Sequence, residues 1–116
     1  MKEIEDDFQN TDIFDSMYAI ARVETKRKII QVLIVQSEPI LVTKLIENVN
    51  ILKTAFGDKP ISRQNIHLNV KDLQSYRILK LRKVGGSGNP QTAELTKYGR
   101  KVFLKMGELA EKFARE

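Results

Sequence analysis

The segment ILKLRKVGGSGNPQTAEL, residues 78–95, changes its hydrophobic period in the middle of a chain that is otherwise helical in pattern. Ile78 to Val84 reads as a strand in which Lys80, Arg82 and Lys83 punctuate apolar residues. Gly85-Gly86-Ser87-Gly88-Asn89-Pro90 is a flexible loop, because glycine, asparagine and proline in series break both helix and strand. Gln91 to Leu95 reads as the returning strand. A β-hairpin is therefore expected here. Its approach strand is basic, and its tip offers no bulky side chain before Gln91.

Outward from the hairpin the period is that of helices. Ser62 can cap a helix running to about Tyr76, with Ile66, Val70 and Leu73 inward at helical spacing. Gly57-Asp58-Lys59-Pro60 makes the turn before it, and Gly57 is a C-terminal stop for a preceding helix. That helix has Thr43 as its cap and Leu45, Ile46, Val49 and Leu52 as its apolar side, with Phe56 a further candidate. Ile40–Val42 supplies one short strand. Glu24 to about Gln36 reads as a helix with Ile29, Ile30, Leu33 and Ile34 on one side. Its run IIQVLIV has strand propensity, but the helical period begins before the run and Ser37-Glu38-Pro39 ends it. A break near Arg22–Val23 separates it from a first helix that starts at Thr11 or Asp12, with Ile13, Phe14, Met17, Ile20 and Ala21 on one face. After the hairpin, Thr96 begins a final helix reaching almost to the C-terminus. No repeat or linker divides the chain. The expected organisation is an acidic, flexible N-terminus at 1–10 and a single domain at 11–116, of which 96–116 is the C-terminal helix. The fold class is mainly α with a small β-hairpin (α+β).

Composition narrows the functions. The chain has 116 residues, no cysteine and one histidine, His67, so thiolate metal sites, disulfides and a histidine-based zinc site are not expected. No metal or other cofactor is implied, and no nucleophile–base arrangement supports an enzyme. The absence of a secretory signal pattern and of a long apolar run predicts a cytoplasmic protein without a membrane partner. The net charge is +5, but it is unevenly distributed. Residues 1–15 carry one Lys against six acids, a local −5, which leaves 19 basic and 9 acidic residues, or +10, on residues 16–116. Between 59 and 105 there are 11 Lys and Arg against Asp72 and Glu94. Such a concentration is either a solvated basic face or the footprint of a polyanion partner.

Three local patterns carry a resemblance. Asn65 to Leu73 is similar to a recognition helix in which an apolar pair precedes Lys-x-Leu, here Lys71-Asp72-Leu73. Ile78 to Lys83 is similar to a leucine followed by a basic strand. Glu94-Leu95-Thr96-Lys97-Tyr98-Gly99-Arg100 resembles a Leu-Thr-x-x-Gly-basic junction opening a last helix. In this order they resemble winged helix-turn-helix transcriptional regulators of the ArsR and MarR type, and the likeness covers most of residues 20–105. Three departures stand out. Arg77 occupies a position that is often Gly, the segment from Val49 to Ser62 is longer than the usual tight turn, and the ArsR metal-binding cysteines have no counterpart. The resemblance implies a winged helix with N- and C-terminal dimerisation helices, double-stranded DNA as partner, and action as a repressor or activator. It names no small-molecule effector.

On DNA, the helix after Ser62 would turn Gln64, Leu68, Lys71 and Ser75 outward, flanked by Asn65, His67 and Asp72. Leu68 can meet a thymine methyl while Gln64 or Asn65 pairs with an adenine edge; the other reading of Leu68 is a protein contact. Ser62, first of all a helix cap, can also present the helix N-terminus to a phosphate; Arg63 is a phosphate clamp or a guanine reader, with phosphate preferred, and His67 makes an ordinary polar contact. Lys80, Arg82 and Lys83 would bring the hairpin onto the backbone or into the minor groove. Val102, Met106, Leu109 and Phe113 repeat at alternating four- and three-residue steps, the seam of a helix pair. That seam packs either across a homodimer, with Phe14 and Met17 of the first helix, or against the chain's own domain. The competing functions are a winged-helix protein-interaction module of a transcription, partition or replication assembly, and a nonspecific DNA-coating protein. The acidic N-terminus either folds over the basic surface or repels DNA.

Overall fold

A computed structural model describes residues 13–115; the expectations that fall on residues 1–12, the acidic N-terminus and the cap at Thr11 or Asp12, lie outside the described residues. Helix α1 covers residues 13–21, α2 Glu24–Ile34, strand β1 Ile40–Leu41, α3 Val42–Ala55, α4 Arg63–Ser75, β2 Leu79–Lys83, β3 Gln91–Leu95 and α5 Lys97–Arg115. The chain is mainly helical with a three-stranded antiparallel sheet in the order β1-β3-β2. The hairpin pairs Leu79 with Leu95 and Lys83 with Gln91. β1 adds to its other edge, with Ile40 opposite Ala93.

The helices lie where their apolar stripes meet. Ile29, Ile30 and Leu33 of α2, Leu45 and Val49 of α3, and Ile66, Val70 and Leu73 of α4 are fully buried together with Ile78, Leu79, Ala93 and Val102. The β-branched run of α2 is helical because its period puts Ile29, Ile30 and Leu33 into this core; tertiary burial outweighs a propensity difference of at most about 1 kcal/mol. Ser62 caps α4 as expected, its Oγ accepting from the Asn65 N–H at 3.1 Å. Thr43 does not cap α3. β1 runs straight into that helix, so the cap position falls on Leu41, which has extended backbone angles and no side-chain cap bond. Phe56 is not in the core either. α3 ends at Ala55, Gly57 turns the chain at φ +81°, and Phe56 is left 70% exposed under the Lys28 ammonium, 5.1 Å from its ring centroid.

Polar side chains fix the joints between these elements. The Asn50 amide clamps the backbone of Ile61 in both directions, donating to its carbonyl at 3.0 Å and accepting from its N–H at 2.7 Å, and so holds the long α3–α4 connection. Arg100 donates to the carbonyls of Ile34 and Gln36, placing a cation at the C-terminal end of α2, whose own last turn has none. The Ser16 and Tyr98 hydroxyls, 2.9 Å apart, join α1 to α5. Among the described residues no buried side-chain nitrogen or oxygen is left without a partner.

At the other end of α2, Glu24 in the first turn meets Lys53 of α3 at 3.1 Å, and Lys53 also approaches Asp58 at 3.8 Å. The hydrogen bond from Lys53 and its charge hold the Glu24 carboxyl below the usual carboxylate range, with Lys28 and Arg27 adding to this. A carboxylate with a depressed folded pKa contributes stability that is fully present above its unfolded pKa of about 4.3. That contribution is lost as the pH falls through the lower folded value. Glu24→Gln should therefore lower the urea midpoint at pH 7, and the gap to the parent should close in the acid limb. A gap of constant size from pH 7 to pH 3 would show that the pair does not couple to protons.

Candidate nucleic-acid interface

Two neighbouring elements collect the sequence-predicted site residues. α4 packs on α2 and β2 through Ile66, Val70 and Leu73, so its opposite stripe has no cover from the described residues. Arg63, Gln64, Asn65 and Lys71 are exposed and His67 is half-buried. Leu68 is 63% exposed, an apolar side chain standing amid polar neighbours. Asn69, which the helical period alone does not single out, donates from Nδ2 to the Asn65 carbonyl at 2.9 Å and to the Asn65 Oδ1 at 2.7 Å. These bonds engage the Asn65 side chain through its Oδ1. The i, i+4 spacing of two asparagines is the signal that could have found it.

Asp72 is the one acid on α4, and its charge is compensated. Lys26 of α2, 6% exposed, reaches its Oδ2 at 2.7 Å. The ion pair docks α4 on α2 and removes the negative charge that would oppose a polyanion beside Lys71.

Three residues after α4 the chain enters the hairpin. Arg77 makes the turn at φ +62°, a conformation glycine takes without cost, and its guanidinium lies 5.8 Å from the Tyr98 ring centroid. The departure noted at this position is thus a real left-handed turn. Lys80 is bound across the strands to Glu94 at 3.3 Å, whereas Arg82 and Lys83 are exposed and carry no ion pair among the described residues. At the tip, Gly86, Gly88 and Asn89 all have positive φ, and the Val84 N–H closes the loop on the Pro90 carbonyl at 3.0 Å.

The residues expected at a dimer contact divide differently. Met17, 8% exposed, and Val102, 0%, lie in the chain's own core, and Met106 and Leu109 are half-buried against it. All four pack within the chain's own core, Met17 from α1 and Val102, Met106 and Leu109 from α5. Phe14 is 67% exposed, and the Phe113 side chain lies outside the described residues. Arg100 is engaged as the α2 end cap, and Lys97 and Lys101 are exposed.

Leu68 apart, the exposed groups at the site residues of α4 and the hairpin are donors, acceptors and cations. Among the described residues no group of three or more His, Cys, Asp or Glu could hold a metal ion, and no helix is long and apolar enough to cross a membrane. No protein-family model matches this chain, and no curated protein matches it.

Proposed function

We propose that the chain is a winged helix-turn-helix protein that binds double-stranded DNA in a sequence-specific manner and acts as a homodimeric transcriptional regulator. The observation that carries this reading is the outer stripe of α4. Gln64, Asn65, Leu68 and Lys71 stand exposed on a helix whose other stripe is wholly buried, and a cationic, glycine-tipped hairpin follows at once. The order α2-β1-α3-α4-β2-β3 with sheet order β1-β3-β2 supports the winged-helix assignment. α4 enters the major groove. Gln64 and Asn65 pair with base edges and Leu68 meets a thymine methyl. Ser62 and Arg63 hold phosphate at the helix N-terminus, where unpaired N–H groups favour an anion. Arg82 and Lys83 reach the backbone or the minor groove, with Lys80 held back by Glu94. The second copy docks on α1 through Phe14 and Tyr18, both about two-thirds exposed. A two-fold dimer then sets two α4 helices about one DNA turn apart on a palindromic site.

Selection from a randomised duplex pool tests this, followed by titration of the selected site at several salt concentrations. A palindromic motif is expected, with affinity falling steeply as salt rises. Gln64→Ala and Leu68→Ala should each cost about 1–3 kcal/mol and relax preference at a single base position. Arg82→Ala should weaken all sequences alike. Salt-sensitive binding without a motif would replace this reading with a coating protein. The absence of binding at low salt would turn the same surface over to a protein partner.

A further inference from the structure

Beside α5 runs an open groove of about 590 Å³, lined by no residue of α4 or of the hairpin strands. Ile13 of α1 forms one wall, and Lys97, Lys101, Leu104, Lys105 and Glu108 line it along α5. Their spacing puts them on one stripe of the helix. Leu104 is 63% exposed, so the groove has an uncovered apolar floor. Its rim is cationic. With Arg100 it carries four cations and one acid, a net +3, and Glu108 is already drawn to Lys105 at 3.7 Å.

Ile13, to which residue 12 is bonded, lines the groove itself. The segment 1–12 carries Glu3, Glu5, Asp6, Asp7 and Asp12 against Lys2, with Ile4 and Phe8 between the acids. Its charge is opposite to that of the groove, and the apolar side chains of Ile4 and Phe8 match the floor. Its length also suffices. The stretch of α5 from Lys97 to Glu108 rises about 16 Å, which an extended chain covers in about five residues. Tethering raises the effective concentration to the millimolar range, so a weak contact is enough.

We propose that residues 3–8 of this same chain occupy the groove. Ile4 and Phe8 lie over Leu104 and Ile13, and the carboxylates of the segment face Lys97, Lys101 and Lys105. The segment acts as a built-in polyanion that shields the α5 cations from other anions. Arg100 takes little part, because its guanidinium is engaged by Ile34 and Gln36. The inference does not depend on DNA binding.

The chain has no cysteine, so Gln9→Cys provides a single attachment point for a nitroxide label. In the ¹⁵N-labelled full-length chain at 0.1 M salt, paramagnetic broadening should concentrate on the amides of residues 97–108 and spare those of 63–75. Raising salt to 1 M shortens the screening length from about 10 to about 3 Å and should reduce the broadening about twofold or more. The exposed pair Lys101→Glu and Lys105→Glu should do the same, with chemical shifts elsewhere unchanged. Uniform or absent broadening would overturn the proposal, as would broadening indifferent to salt and charge reversal. A 1:1 mixture of ¹⁵N chains without nitroxide and labelled ¹⁴N chains separates the remaining case. Broadening in that mixture as strong as in the single sample would assign the groove to the segment of a second copy and overturn occupancy by its own.

Discussion

Gly99→Ala is expected to destabilise the protein by about 3 kcal/mol or more, at or beyond the upper end of the usual cost of overpacking. A Cβ on Gly99 would lie 2.0 Å from the Ile78 carbonyl oxygen and 2.8 Å from its carbon, and both are backbone atoms that cannot swing aside. The approach is this close because two bonds from Thr96 draw α5 onto the turn after α4 and a third fixes its first turn. The Thr96 N–H donates to the Ile78 carbonyl at 3.0 Å, and the Thr96 hydroxyl donates to the Arg77 carbonyl at 2.6 Å while accepting the Gly99 N–H at 2.8 Å. Relief of the clash would pull α5 off the turn that precedes β2 and expose Ile78 and Val102, which are now fully buried. Gly107, two turns further along the same helix, has nothing within 4 Å of the place a methyl group would take, so Gly107→Ala should instead stabilise by about 0.5–1 kcal/mol. Urea unfolding followed by circular dichroism reads both. If Gly99→Ala also shifted the midpoint upward, the close contact between α5 and residue 78 would be wrong.

The pair of glycines illustrates which features the sequence made legible. Local features were plain. The period of Ile66, Val70 and Leu73, the cap at Ser62, the glycine loop and the break at Arg22–Val23 each depend on neighbours within one turn or one hairpin. The Leu-Thr-x-x-Gly junction was visible only as a likeness, because its physical cause, the contact of Gly99 with Ile78, spans 21 residues. For the same reason the Asn50–Ile61 clamp, the Arg100 cap of α2 and the Ser16–Tyr98 bond left no sequence signal. Each joins groups whose proximity exists only after the core has formed. In the candidate site, the identity and exposure of the α4 residues followed from helical angle alone. The engagement of Lys80 by Glu94 required the strand register, and the burial of Met17 and Val102 required knowing what covers the core.

Asp72→Ala should cost about 2–4 kcal/mol, although Asp72 is itself on the surface. Its side chain is 53% exposed, but that of its partner Lys26 is only 8% exposed. Loss of the carboxylate would leave an ammonium among the α2–α4 packing residues with no counter-charge, and removing one member of a buried pair is far costlier than removing both. The half-open position of Asp72 admits water to one side of the site, so the effect falls somewhat below the full 3–5 kcal/mol of a wholly buried pair. The reciprocal change is milder. Lys26→Met keeps the aliphatic stem that fills the site and leaves Asp72 hydrated, so about 1 kcal/mol or less is expected. In the double variant Lys26→Met with Asp72→Ala most of the loss should return, giving a coupling energy of about 1–3 kcal/mol. Additive losses in that cycle would mean the two side chains do not act as a pair. The same variants bear on the proposed interface. In the double variant α4 keeps its seat and one charge of each sign is lost, which leaves the net charge of the protein unchanged, so DNA affinity should stay near that of the parent. Asp72→Ala alone adds a net positive charge beside Lys71 yet loosens the helix that carries it. Tighter nonspecific binding together with a lower unfolding midpoint is therefore the expected signature of an acid whose role is to anchor α4 rather than to repel a polyanion.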